Sequence, residues 1–224
     1  MQALSHVQWY HFAYMIISVA LLGFGASGTV LALARDWCVK RADVLPPLLM
    51  MLSGVGIALS LPLSQYSPIR FDSYLLFVEG KHVVGLVLTY LVFFVPFLFG
   101  ALAIGLLFLR HAEMIGKFYA ANLAGSGAGG AVALGLMWLL PAQQLSAVVA
   151  LLALTAGVFL VPRNHWRSLL TVAAGGYAIV LFIVLLPPVL HPSEYKSISR
   201  TLALPNARVV HERSSPYGIV QIVS

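Results

Sequence analysis

Gly23-Phe24-Gly25-Ala26-Ser27-Gly28 has the glycine spacing that, in the right setting, cradles a pyrophosphate. The chemistry needs free backbone N–H groups where a strand turns into a helix. Here the six residues lie inside an apolar run from 12 to 34, so their amides are expected to be bonded within a helix. The expected role of Gly23, Gly25 and Gly28 is therefore packing, since small residues let helix backbones approach closely. Gly125, Gly127, Gly129 and Gly130 carry the same expectation in a later run.

Other candidates for chemistry are sparse. His11, beside Tyr10 at the edge of the first run, is of a type that ligates haem or relays protons. No second histidine sits at matching depth by spacing, which favours an interfacial histidine. His111 and Glu113 lack the one-turn ligand spacing of a helical zinc motif and read as a solvated loop. Asn122 is the main polar group of its run and is expected to hydrogen-bond a neighbouring helix. Cys38 is the only cysteine, which excludes an internal disulfide and a cysteine metal cluster. No catalytic, cofactor-binding or metal-ligating residue is expected in this chain, and no cofactor.

The elements that must position these residues are apolar. Hydrophobic residues make up 60% of the chain and charged residues 9%, against roughly a quarter charged in a soluble domain. Residues 12–34, 44–63, 83–109, 118–140, 145–161 and 169–186 are six runs without Asp, Glu, Lys or Arg. A spanning helix needs about 20 apolar residues, and in lipid its backbone groups must be satisfied internally. The expected fold is an all-α polytopic membrane protein of about six spans, residues 1–188, followed by a short C-terminal β-hairpin within 189–224. A secretory signal is disfavoured, because the N-terminus has no basic segment and the first run is too long. The absence of charge within the runs argues against a proton-coupled pump. Pro96 sits near the middle of the third run and predicts a kink.

Orientation follows from the loops. Loops 35–43, 110–117 and 162–168 hold seven Lys or Arg, whereas the N-terminal segment and the other two loops hold only Arg70 and Lys81. The basic side is normally cytoplasmic, so both ends of the chain are expected outside, and the expected location is a bacterial inner membrane. Cys38 then lies on the cytoplasmic side. The net charge of +6 is loop charge of this kind, and nucleic acid is not an expected partner. The expected partners are lipid and a downstream soluble domain or a second copy of the chain.

Gly25-Ala26-Ser27-Gly28-Thr29-Val30 is similar to Gly127-Ala128-Gly129-Gly130-Ala131-Val132, three runs further on. The two copies would cross in opposite senses, which is the geometry of an inverted three-plus-three repeat and admits a transporter-like permease module as an alternative function. A structural membrane subunit is a further alternative. In the tail, residues 207–213 and 219–223 read as strands, and Ser214-Ser215-Pro216-Tyr217-Gly218 supplies turn chemistry. A lone hairpin is marginal in water, so the expectation is the start of a soluble domain that continues past Ser224.

Two stretches carry a resemblance to a known family. Trp9-Tyr10-His11-Phe12-Ala13, continuing through residues 17–28, resembles the membrane region of bacterial spermidine-synthase-like proteins. Tyr195-Lys196-Ser197-Ile198-Ser199 and residues 209–224 resemble the junction and first hairpin of the aminopropyltransferase-like domain that follows it. The resemblance implies a non-catalytic membrane domain anchoring an aminopropyltransferase- or methyltransferase-like domain. It also implies that the nucleoside-binding loop and catalytic aspartate lie downstream of Ser224. Ser215 and Tyr217 match the Ser-x-Tyr of the family's hairpin, but Gly218 stands where a glutamine commonly follows, which bears against polyamine as the substrate.

Overall fold

In the computed structural model, residues 2–7, 11–190, 192–194, 196–205 and 207–224 are described. The aromatic pair Trp9 and Tyr10, the side chain of His11, and Tyr195 of the junction lie outside the described residues. The chain runs α1 (Gln2–Val7), α2 (His11–Leu33), α3 (Arg35–Lys40), α4 (Leu45–Gln65), α5 (Gly80–Arg110) and α6 (Ile115–Leu139). It continues through α7 (Ala142–Phe159), α8 (Trp166–Leu185), α9 (Ser197–Leu202), β1 (Val209–Ser215) and β2 (Gly218–Val223). Six helices (α2 and α4 to α8) are long and apolar enough to cross a membrane. They match the six runs of the sequence, with ends shifted by a few residues, and are compatible with a multi-pass membrane protein.

Local chemistry sets several of these ends. Pro46 and Pro47 occupy the first turn of α4, where their missing N–H groups have no helical partner to lose. α4 continues past Pro62 to Gln65, two residues beyond its expected end. The hydroxyls of Ser60 and Ser64 turn back onto the carbonyls of Ile57 and Leu61, each at 2.8 Å, on either side of the ring. α5 is helical on both sides of Pro96, whose ring is buried. Gly56 of α4 makes room for it, because a Cβ there would stand 3.0 Å from Pro96 Cβ. The Pro96 carbonyl accepts a hydrogen bond from Ser53 Oγ of α4 at 2.8 Å.

α4 is the hub. It packs between α5 and α7 and also touches α8, while α2 lies on α5 and α8 on α7. The largest core cluster joins Met51 and Ala58 of α4, Ala147, Ala150 and Leu154 of α7, and Ala173, Val180 and Ile183 of α8. Its geometry rests on reciprocal glycines. A Cβ on Gly54 would stand 2.9 Å from Leu154 Cγ and 3.0 Å from the Ala150 carbonyl oxygen. A Cβ on Gly157 would stand 2.7 Å from Met51 Cγ and 3.0 Å from the Pro47 carbonyl oxygen. Each helix thus inserts a large side chain where the other has none, and backbone atoms approach on both sides. A smaller cluster, Leu31, Cys38, Leu102 and Leu106, closes the opposite flank, so Cys38 is buried.

α6 differs from the other five. None of its residues is buried. Asn122 is exposed on it, and among the described residues it makes no hydrogen bond to a neighbouring helix, contrary to the sequence expectation. The helix stands to the side of the bundle, so no acceptor or donor comes within reach.

The hairpin forms where the sequence places it, with a tighter turn than expected. Strands β1 and β2 pair antiparallel through Glu212–Gln221 and Ser215–Gly218, leaving only Pro216 and Tyr217 between them. Gly218 has φ +153, a region that side chains disfavour. The register slips between Val209 and His211, so Val210 is the extra residue of a bulge.

Overpacking a close helix contact costs about 1–3 kcal/mol. Gly54→Val and Gly157→Val are each expected to lower the thermal midpoint of the purified protein in mild detergent, while Gly127→Val on α6 leaves it unchanged. Equal shifts for all three would refute the assignment of the tight interface.

Candidate functional site

Hydrogen bonds between polar groups of separate segments gather at one end of the bundle, where α1, the loop after α4, the turn between α6 and α7, and the tail meet. The loop after α4 folds back over the start of α5. Phe71 is buried there, and Gly85 allows the approach, since a Cβ on it would lie 2.8 Å from the Ile69 carbonyl oxygen. Asp72 organises the loop. Its Oδ1 accepts the Tyr74 N–H at 2.9 Å, an Asx turn, and its own N–H donates to His82 Nδ1 at 3.0 Å. That bond assigns the neutral imidazole its proton on Nε2. His82 Nε2 is buried without a hydrogen-bond partner, 3.7 Å from Glu79 Oε2. Glu79 is instead paired with Lys81, whose hydrogen bond and charge lower the pKa of this exposed carboxyl.

The tail is sewn to this loop and to α1. Ser193 Oγ donates to Asp72 Oδ2 at 2.7 Å, and the Ser193 N–H donates to the Val7 carbonyl at 2.9 Å. Lys196 Nζ donates to the His6 carbonyl at 2.8 Å. Burial lowers the pKa of Lys196. Burial, and then the nearby Lys196 charge, lower that of His6. The hairpin rests on the same end. Ile219 packs beside Ala3, Leu61 and Ala142, and Tyr217 meets the edge of Trp138 with ring centroids 6.4 Å apart. Gln221 Nε2 donates to Glu212, and Gln143 Nε2 reaches the same carboxylate at 3.5 Å.

Two clefts result. One, of about 480 Å³, lies between the loop and the tail and includes Arg70, Asp72, Lys81, His82 and Glu194. The other, of about 530 Å³, lies between the hairpin and the bundle and includes His6, Gln143, Glu212 and Gln221. Among the described residues no group of three or more His, Cys, Asp or Glu side chains is placed to hold a metal ion. His111 stacks on Phe118 with centroids 4.9 Å apart, and Arg110 bridges to Asp43 and the Ala42 carbonyl at the opposite end of the bundle.

The residues singled out in the sequence separate into groups. The fingerprint-like glycines sit in the interior of α2, away from any helix start. Gly23 lies against α5, where a Cβ would stand 2.9 Å from Phe97 Cβ. Gly25, Gly28, Gly125, Gly127, Gly129 and Gly130 face open space within this chain. Ser215 Oγ donates to the Gly218 carbonyl at 3.2 Å, and Tyr217 is 93% exposed apart from its contact with Trp138. Neither lines the two clefts. Sequence reasoning passed over Gly54, Gly157 and Gly176, which carry the close helix contacts, and over Asp72, His82 and Ser193. The available signal for Asp72 was an Asp followed by Ser and Tyr in a proline-containing loop, a common turn composition.

No family model matches the chain, no curated protein does, and no solved structure does. The described residues form an α-helical bundle with six span-length apolar helices and a hairpin seated on one end.

The docked tail is expected to loosen on acidification. His6 of α1 has a folded pKa below its ordinary 6.5, so near and below that pH the undocked state binds a proton that the docked state refuses. Stability of the junction therefore falls as pH drops through this range. Protease cleavage within 189–224 should rise between pH 7.5 and about 5.5, and His6→Gln should flatten the response. Asp72→Ala, which removes two acceptors, should raise cleavage about tenfold at neutral pH. Unchanged cleavage would show that the clamp does not hold the tail.

Proposed function

We propose that this chain is the non-catalytic membrane domain of a spermidine-synthase-like integral membrane protein of the bacterial inner membrane. Its hairpin begins an aminopropyltransferase- or methyltransferase-like domain that the bundle holds at the membrane surface. The observation that carries the reading is the seating of the hairpin. A flexible tether needs no specific contacts, yet here Ser193, Lys196, Glu212, Tyr217 and Ile219 all engage the bundle end. Such contacts suit a domain whose position relative to the bilayer matters. The residue types at 195–199 and 209–224 support the same reading. In this proposal the basic loops 35–43, 110–117 and 162–168 are cytoplasmic and the hairpin lies on the other face.

A permease module is the second reading, favoured by one feature of the packing. The tightest pair, α4 with α7, joins the second helix of one three-helix half to the second of the other, two helices that a two-fold axis between inverted halves would interchange. α4–α5 then corresponds to α7–α8. The correspondence stops at α6, which lacks the packing on α8 that α2 makes on α5.

An antibody raised against residues 209–224 distinguishes these readings in membranes of the source cells. The anchor reading expects a polypeptide well above 24.1 kDa that carries transferase activity with a nucleoside-linked propylamine or methyl donor. A species of 24.1 kDa without such activity, in vesicles that take up a solute, would favour the permease. Sidedness is read on a Cys38→Ala background, since buried Cys38 would resist any reagent. Asn164→Cys should label with an impermeant maleimide only after lysis, and Ser197→Cys in intact cells. The reverse pattern would overturn the orientation.

A further inference from the structure

Two opposite charges line the cleft between the loop and the tail, and neither is paired. The loop contributes Arg70 and the tail contributes Glu194. Among the described residues neither side chain makes a hydrogen bond or an ion pair. The other charged groups of the lining are committed. Asp72 spends both oxygens on Tyr74 and Ser193, and Lys81 is bound to Glu79. The walls are also fixed relative to one another, because the Ser193–Asp72 bond of 2.7 Å ties tail to loop and the Asp72–His82 bond of 3.0 Å ties loop to α5. Without that clamp the free guanidinium and the free carboxylate could close on each other. With it, about 480 Å³ stays open between two walls of opposite charge, a volume within the range of small-molecule sites.

The depth of the cleft narrows the guest. His82 belongs to the first turn of α5, and just beyond it Val83, Val84 and Val87 are exposed apolar side chains of a span-length helix. The loop itself exposes Tyr74, Phe77 and Val78, with Phe77 fully exposed. Aromatic and apolar side chains at the end of a span mark the headgroup layer of a bilayer. A guanidinium binds phosphate oxygens in a two-pronged geometry, and a carboxylate suits a primary ammonium. We propose that this cleft binds a phosphoethanolamine group, its phosphate on Arg70 and its ammonium on Glu194, supplied either by a lipid headgroup or by a free solute. The lipid source rests on the membrane placement proposed above, and the solute source does not.

The test uses the full chain in detergent micelles and three probes: dihexanoyl phosphatidylethanolamine, dihexanoyl phosphatidylglycerol and free O-phosphoethanolamine. Binding is followed by titration calorimetry. The ethanolamine lipid is expected to bind roughly tenfold or more tightly than the glycerol lipid. Glu194→Gln should abolish that preference while leaving residual binding of both, and Arg70→Gln should weaken both. Free O-phosphoethanolamine binding as tightly as the lipid assigns a soluble guest. Binding of the lipid alone assigns a headgroup. Equal affinity of the wild type for the two lipids, a preference that survives Glu194→Gln, or no binding of any probe overturns the proposal. The maleimide labelling of Asn164→Cys and Ser197→Cys reports membrane placement separately. Its failure would remove the headgroup source and leave the solute measurement to decide the cleft.

Discussion

The close approach of α4 and α7 is the contact on which the remaining architecture depends. In water a helix pair is driven together by apolar burial, but between lipid-immersed helices that drive is absent and shape-matched contact must replace it. Gly54 and Gly157 supply the match. Each leaves a gap that Leu154 or Met51 of the opposing helix fills, and each brings a backbone carbonyl of the partner to the distance a methyl group would occupy. Leu154 also fills the gap at Gly176, so a single side chain ties α7 to both α4 and α8. With α4 fixed, Ser53 binds the Pro96 carbonyl and Gly56 receives the proline ring, which places α5. α2 follows through Gly23 on Phe97.

The polar end is built on that frame with a different kind of bond. Its contacts are hydrogen bonds between segments far apart in sequence, with Asp72 as their junction. A carboxylate suits this position because it accepts from two sides at once while its backbone N–H serves a third group. The result is a tail whose place is set by a few polar contacts at the bundle surface. Such contacts respond to pH and to solutes in ways the apolar core clusters cannot, since among the described residues those clusters hold no Asp, Glu, Lys, Arg or His. The clefts follow from the same arrangement, as the spaces left where loop, tail and hairpin meet without an apolar filler.

α6 shows what happens to a span-length helix without such a match. Its glycines leave no gap that a neighbour fills, because no neighbour lies against them. Small residues are as compatible with acyl chains as with a packed interface. The internal similarity between α2 and α6 therefore extends to composition but not to packing. α2 uses one of its glycines on α5, whereas α6 uses none.

The six long helices and the hairpin were legible in the chain alone, whereas the short helices α1, α3 and α9 were not. Apolar runs of span length must become helices because their backbone groups have no other partner in lipid, and this is decided within each run. The hairpin was equally local, since Ser-Pro-Tyr-Gly sets a reversal and the flanking β-branched residues pair across it. The start of α4 beside Pro46 and Pro47 is local as well, whereas α7 begins at Ala142, three residues before its apolar run. Which small residues carry contacts was settled by packing between segments. Gly54, Gly157 and Gly176 do so, and Gly25, Gly28 and the α6 glycines do not, although all lie in apolar helices of similar composition. Nor could the sequence join Asp72 to Ser193, which are 121 residues apart. Helix formation is satisfied inside one segment, whereas a close packing or a polar clamp exists only when a second segment arrives with the complementary shape or charge.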